Sequence, residues 1–134
     1  MKMIEEAIRT ILIADEKVRE LADERIYHIR AVQNSQSPFI VITRLSTERP
    51  RTMEGLANYA RGTVVVEAFA DDIFALKELT RVLIDTLDQT SGNIDGLNID
   101  HLELQNERYQ YTRHDEGREH GLFNAELQFA YMTH

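Results

Sequence analysis

Hydrophobic and polar positions along the chain follow two periods, one typical of helices and one typical of strands. Over residues 73–87 the apolar residues recur at three- and four-residue steps: Leu76, Leu79, Leu83 and Leu87, widened by Phe74, Val82 and Ile84. This pattern predicts an amphipathic helix, and either Asp71 or Asp72 can cap its N-terminus. A helix is also predicted over residues 4–13, followed by a short one capped by Asp15.

Runs of β-branched and aromatic residues predict the strands. They cover residues 26–29, 39–45, 63–70, 99–104 and 123–131. The run 39–45 is expected near the sheet centre, and a slip of the apolar phase between Ile99 and Leu102 predicts a bulge or bend. The stretch 46–62 is predicted as a long loop, because it shows no clear period, and the strongly polar stretch 109–121 is predicted as a mobile loop or a hairpin tip. The order predicts one α+β domain over residues 1–134, with a mostly antiparallel sheet of about four to five strands and helices on one face.

Composition limits the function. The chain has a net charge of −8, so overall positive charge cannot provide a nucleic-acid-binding surface. An apolar fraction of 43% is sufficient for a core, and no apolar run is long enough to cross a bilayer. The first ten residues lack the uninterrupted hydrophobic stretch of a signal peptide, which predicts a soluble, unexported domain.

No motif for chemistry stands out. The chain has no cysteine and no GxSxG or HExxH sequence, and residues 92–96 match no phosphate-binding loop. One cluster is open to two interpretations, a divalent-cation site or a solvated loop: His114, Asp115, Glu116, Glu119 and His120. The sequence therefore predicts no catalytic residue, no cofactor and no metal.

Two stretches instead indicate a protein interface. Four arginines, Arg44, Arg49, Arg51 and Arg61, are opposed only by Glu48 and Glu54 and surround Met53, Leu56 and Tyr59. Arg, Met and Tyr are enriched at interfaces, although arginines can also contact phosphates or pair with local acids in a solvated loop. The second stretch, 107–113, is either a docking surface or a strand end. The predicted interface residues are Arg49, Arg51, Met53, Leu56, Tyr59, Tyr109, Tyr111 and Arg113.

Several segments, in this order, carry a family resemblance that covers nearly the full chain. They are Arg25-Ile26-Tyr27, Ser37-Pro38-Phe39-Ile40-Val41, Leu56 with Ala60-Arg61, Val64 to Ala70, the helix with Ala75, Leu79 and Leu87-Asp88, and Phe123 to Phe129. The chain resembles the small tail completion proteins encoded in phages and prophages. These are related in architecture to tail terminator and head–tail joining proteins.

The resemblance implies a structural protein rather than an enzyme. It implies a ring, typically hexameric, that caps the head-proximal end of a tail tube and contacts both the tube protein and the head connector. DNA would pass through without specific binding, no membrane would be involved, and the virion protein would assemble in the bacterial host cytoplasm.

Two other classes of function stay open from the residues alone. A small dimeric α+β ligand-binding or regulatory module requires an apolar pocket with a polar rim. A hydrolase or transferase would require residues assembled in space, around His101 or His28.

Overall fold

The computed structural model describes residues 3–28, 37–112 and 122–134. Within these ranges the helices are α1 (Ile4–Ala14), α2 (Glu16–Ala22) and α3 (Ile73–Leu87). The strands are β1 (Ile26–His28), β2 (Phe39–Glu48), β3 (Arg51–Thr52), β4 (Gly55–Leu56), β5 (Ala60–Ala70), β6 (Gly92–Ile94), β7 (Leu97–Thr112) and β8 (Leu122–Thr133).

Helices α2 and α3 begin at capping aspartates. The carboxylate of Asp15 accepts a hydrogen bond of 3.1 Å from the Val18 N–H at the start of α2. Asp72 accepts one of 3.3 Å from the Phe74 N–H at the start of α3, so Asp72 is the cap of this helix. Each bond satisfies an amide that has no partner within its helix. The predicted helices are therefore confirmed.

The main sheet has six strands in the order β1-β2-β5-β8-β7-β6, and β1 lies parallel to β2. The expectation of four to five antiparallel strands is wrong in these two respects, whereas the α+β class holds. The hydrophobic pattern could not specify the orientation of β1, because parallel and antiparallel strands share the same side-chain period. The extra strand, β6, forms a short hairpin with β7 around Asp95 and Gly96, which adopt φ angles of 49° and 92°.

The stretch 46–62 is not the predicted loop. Strand β2 continues to Glu48, β5 begins at Ala60, and β3 and β4 form a small hairpin between them. A bulge between Arg44 and Ser46 breaks the alternation of β2, and the strand continuing beyond it is exposed. Strand β7 likewise extends to Thr112, so residues 109–112 are strand, and 113–121 lie outside the described residues. Strand β2 is also not central, since β5 and β8 occupy the middle of the sheet.

The core lies between the three helices and one face of the sheet. Its largest fully buried side chains include Ile8, Leu12, Ile40, Ile42, Leu79, Leu83, Leu127 and Phe129. Strand β8 confirms its predicted alternation, and β7 confirms the predicted bulge with a register shift between Ile99 and His101. The prediction that Phe74 widens the buried stripe of α3 is wrong, because its side chain is 74% exposed. It lies two residues before Leu76, about 200° around the helix from the buried stripe.

The long strands give the sheet two distinct ends. At the first, here called the tip end, β5 begins at Ala60, which pairs with Thr133 at the end of β8. At the opposite end, the arm end, Ala70 pairs with Phe123, which in turn pairs with Tyr111 of β7. The eleven residues of β5 separate these ends by about 33 Å.

Candidate functional site

Large apolar side chains that remain exposed fall into two groups at the two ends of the sheet. Among the described residues they are Leu45, Met53 and Leu56 in the tip half, and Phe74, Tyr109 and Tyr111 in the arm half. A monomer gains nothing from exposing such side chains together, and clustered exposed apolar surface marks interaction sites. These two groups form the candidate functional site.

The first group is carried by the tip hairpin, residues 51–56, which consists of β3, β4 and the two-residue turn between them. Gly55 adopts a φ of 125°, which a residue with a side chain rarely adopts. The Thr52 hydroxyl accepts from the Glu54 N–H at 3.3 Å and donates to the Gly55 carbonyl at 3.2 Å, so this side chain braces the turn. Met53 is fully exposed and Leu56 is 56% exposed.

The four arginines of this region have different surroundings. Arg61 pairs with Glu48 at 3.1 Å, and this hydrogen bond raises the pKa of Arg61 above its ordinary value. Arg44 turns toward α1, where it lies 3.6 Å from a Glu5 carboxylate oxygen and donates to the Met3 thioether. Arg44 and Arg61 are therefore both paired with acidic residues.

Arg49 and Arg51 are both exposed. Within the described part of the chain, neither makes an ion pair or a side-chain hydrogen bond. They are therefore the two arginines free to meet a partner. Tyr59 is half-buried, which limits how much of it a partner could contact.

Tyr131 anchors the ribbon that carries the tip hairpin. Its hydroxyl donates to the Ser46 carbonyl at 2.9 Å and lies 2.7 Å from the Thr47 hydroxyl. The side chain crosses over Gly62, its pairing partner on β5. A side chain at position 62 would occupy this space, so Gly62 allows the bulged strand and the tyrosine to approach each other.

The second group lies on the arm, the outer part of the β7–β8 pair. The Tyr109 hydroxyl donates to the Glu107 carboxylate at 2.7 Å. The pKa of Tyr109 is raised to about 12, with burial as the largest cause and this hydrogen bond as the second. Tyr111 packs against Phe123 with the ring centroids 4.6 Å apart. Both tyrosines pair across to residues of the helix-covered face, so they lie on the same side of the sheet as α3.

Between α3 and the arm lies a cleft of about 470 Å³, the α3 cleft. Its lining residues are Ile73, Lys77, Thr80, Arg81, Ile84, Asp85, Glu107 and Tyr109. Sequence reasoning missed this feature because it assigned the whole apolar stripe of α3 to the core. The signal was available in Ile73 and Ile84, which flank the leucine stripe on one side.

The eight predicted interface residues do not form one surface. Arg49, Arg51, Met53 and Leu56 lie at the tip end with the half-buried Tyr59, while Tyr109 and Tyr111 lie on the arm. Arg113 lies outside the described residues, as does the cluster His114 to His120. Leu45 and Phe74 extend the two groups and were not predicted as interface residues.

The described structure does not assemble the residues considered for chemistry. His28 on β1 and His101 on β7 are four strands apart in the sheet, about 19 Å. Across the described residues, no three acidic or histidine side chains are grouped as metal ligands would be. The helices of residues 3–28, 37–112 and 122–134 include none long and apolar enough to span a membrane.

Fold and surfaces together define a small α+β protein whose described part carries two separate groups of exposed large apolar side chains. Residues 6–134 match the family described as Tail completion protein gp17. The chain belongs to this family, and it is a structural component of a phage-type virion.

The fold also occurs among solved structures. One similar chain comes from the "Virion of native gene transfer agent (GTA) particle", with a TM-score of 0.72 and 14% sequence identity. The match covers 97% of this chain and 93% of that one. At this identity the likeness shows a shared fold. No curated protein sequence matches the chain.

Proposed function

We propose that this protein closes the head-proximal end of a tail tube as a ring of identical subunits and joins the tube to the head connector. The family places the chain in the tail, and the position within the tail and the ring are our inference. A ring stops addition of further tube subunits and presents a new surface toward the head.

One observation carries the proposal, namely the two chemically different exposed groups at opposite ends of one sheet. A two-fold dimer uses the same patch on both subunits, whereas a ring requires two different patches that complement each other. The tip hairpin offers Met53 with unpaired arginines, and the arm offers tyrosines beside α3. This arrangement favours head-to-tail association and therefore a closed ring.

The test is oligomeric mass across a dilution series, with negative-stain imaging of the heaviest species. The triple variant Arg49→Ala, Arg51→Ala and Tyr59→Ala should shift ring dissociation to higher protein concentration by about tenfold or more, since truncating interface arginines and tyrosines commonly costs over 1 kcal/mol.

The double variant Arg19→Ala and Glu20→Ala serves as the control, because it removes two exposed charges from α2. It should leave the dissociation midpoint unchanged. Rings equally stable in the triple variant would remove these residues from the interface. A concentration-independent dimer of the wild type would contradict the ring and would favour the ligand-binding module.

A further inference from the structure

The α3 cleft has the form of a receptor for an apolar side chain. Ile73, Ile84 and Tyr109 supply apolar surface, and the charged residues Lys77, Arg81, Asp85 and Glu107 also line it. Its volume of about 470 Å³ falls in the range of natural binding pockets, about 300–1,000 Å³. The cleft therefore combines apolar walls with charges that can select what enters.

Thr80 provides an independent sign that the cleft takes a partner. It lines the cleft and is only 3% exposed, yet its Oγ1 has no hydrogen-bond partner among the described residues. A threonine in a helix usually bonds the carbonyl one turn earlier. A buried hydroxyl without a partner is destabilising, so a rearrangement of the cleft wall on binding that gave Oγ1 a partner would favour the bound state.

The tip hairpin has the complementary shape. Met53 extends fully exposed from a two-residue turn, with Leu56 on the strand behind it. Methionine is flexible and fills irregular apolar gaps, so it suits an opening formed between a helix and a strand. Burying it removes the largest exposed apolar side chain of the tip from water.

The charges of the two segments are opposite in balance. Residues 48–61 contain three arginines and two glutamates, whereas residues 71–88 contain five acidic and two basic residues. The cleft lining itself carries two acidic and two basic side chains, so the acidic excess lies in the segment around the cleft. Arg49 and Arg51, which both precede the turn of the tip hairpin, are free to approach Asp85 or Glu107 of a partner. Such complementary charge steers two surfaces together and fixes their register.

A subunit's own tip hairpin lies too far from its own cleft. Glu107 at the cleft pairs with Leu127, which pairs with Val66 on β5. From there β5 runs six residues, about 20 Å, back to Ala60, and the hairpin lies beyond. The tip hairpin can therefore enter only the cleft of another copy.

We propose that Met53 of one subunit inserts into the α3 cleft of the next copy of this chain, with Arg49 and Arg51 meeting acidic residues there. This docking rests on the proposed ring, because it supplies the head-to-tail contact between neighbours. The same contact repeats around the ring, so each subunit gives one tip and receives one.

Site-directed disulfide trapping tests the docking, since the chain contains no cysteine of its own. One population carries Met53→Cys and the other carries Lys77→Cys at the cleft. The two are mixed under mild oxidation, and disulfide formation requires Cα atoms about 4.4–6.8 Å apart. The control replaces the second population by Glu20→Cys, an exposed glutamate on α2.

The mixed Met53→Cys and Lys77→Cys dimer should exceed both the control pair and the homodimers by about tenfold, because docking raises the effective concentration of the two thiols. A statistical mixture, with or without rings, would overturn the docking. Rings without this linkage would leave the proposed function standing. Trapped head-to-tail chains that never close would support the docking and contradict the ring.

Discussion

Gly62 is a position where adding one methyl group should strongly disturb the strands that carry the tip hairpin. A Cβ at residue 62 would clash with the Ser46 carbonyl oxygen and would lie 2.9 Å from the Tyr131 hydroxyl. The first contact is with backbone, so no side-chain rotation relieves it. The bulged strand would have to move by about 1.5 Å to restore an ordinary van der Waals separation.

The expected cost follows from these contacts. Overpacking costs about 1–3 kcal/mol, and moving Ser46 or Tyr131 puts two hydrogen bonds worth about 1 kcal/mol each at risk. The change from glycine to alanine offsets about 0.5–1 kcal/mol of this cost, because alanine loses less backbone entropy on folding. We expect Gly62→Ala to lower the free energy of unfolding by about 2–4 kcal/mol, measured by urea denaturation followed by circular dichroism.

Two further variants separate the steric term from the hydrogen-bond term. Tyr131→Phe removes the hydroxyl alone and should cost about 1–2 kcal/mol. The double variant with Gly62→Ala should not recover stability, because the clash with the Ser46 carbonyl remains. If Gly62→Ala changes the free energy of unfolding by less than about 0.5 kcal/mol, the strands at the bulge are not held as closely as the structure indicates.

Three other variants test α3 and the cleft. Thr80→Val should raise the free energy of unfolding by about 1 kcal/mol, because it removes a buried hydroxyl without a described partner. Thr86→Val should lower the free energy of unfolding by a similar amount, since Thr86 donates a hydrogen bond to Asp15 at 3.1 Å. Equal effects of the two variants would contradict the conclusion that Thr80 lacks a hydrogen-bond partner. Absorbance at 295 nm should show one tyrosine ionising near pH 12, and Tyr109→Phe should abolish it. Because the folded pKa of Tyr109 exceeds the ordinary value of 10.0, its contribution to stability is present below pH 10.0 and is lost as pH rises to about 12.

The proposed head-to-tail contact would cover the exposed Met53 of every subunit. When the rotation between neighbours closes the ring, every tip hairpin occupies the cleft of a neighbour. When it does not close, the same contact produces filaments. Closure thus depends on the angle at which the tip hairpin leaves the sheet, which the bulge between Arg44 and Ser46 helps to set.

The sequence by itself determined the parts whose signals are local. The leucine stripe and the aspartates at positions 15 and 72 specify the helices, because helix periodicity and capping involve residues within a few positions of each other. The alternation from Phe123 to Tyr131 specifies β8, and together with the order of elements it specifies the α+β class. The family resemblance was also recognised from the sequence, and the family match over residues 6–134 confirms it.

Only the tertiary structure decided how the predicted interface residues are distributed. Met53 and Tyr109 are predicted on two separate stretches of the chain, and strand pairing places these stretches at opposite ends of the sheet. Pairing also decides that Arg44 and Arg61 meet acids while Arg49 and Arg51 do not. Residues far apart in the chain create the α3 cleft, so neither the helix nor the strand signals it alone. Periodicity records which face of an element is apolar, whereas the packing of elements decides which apolar side chains remain exposed.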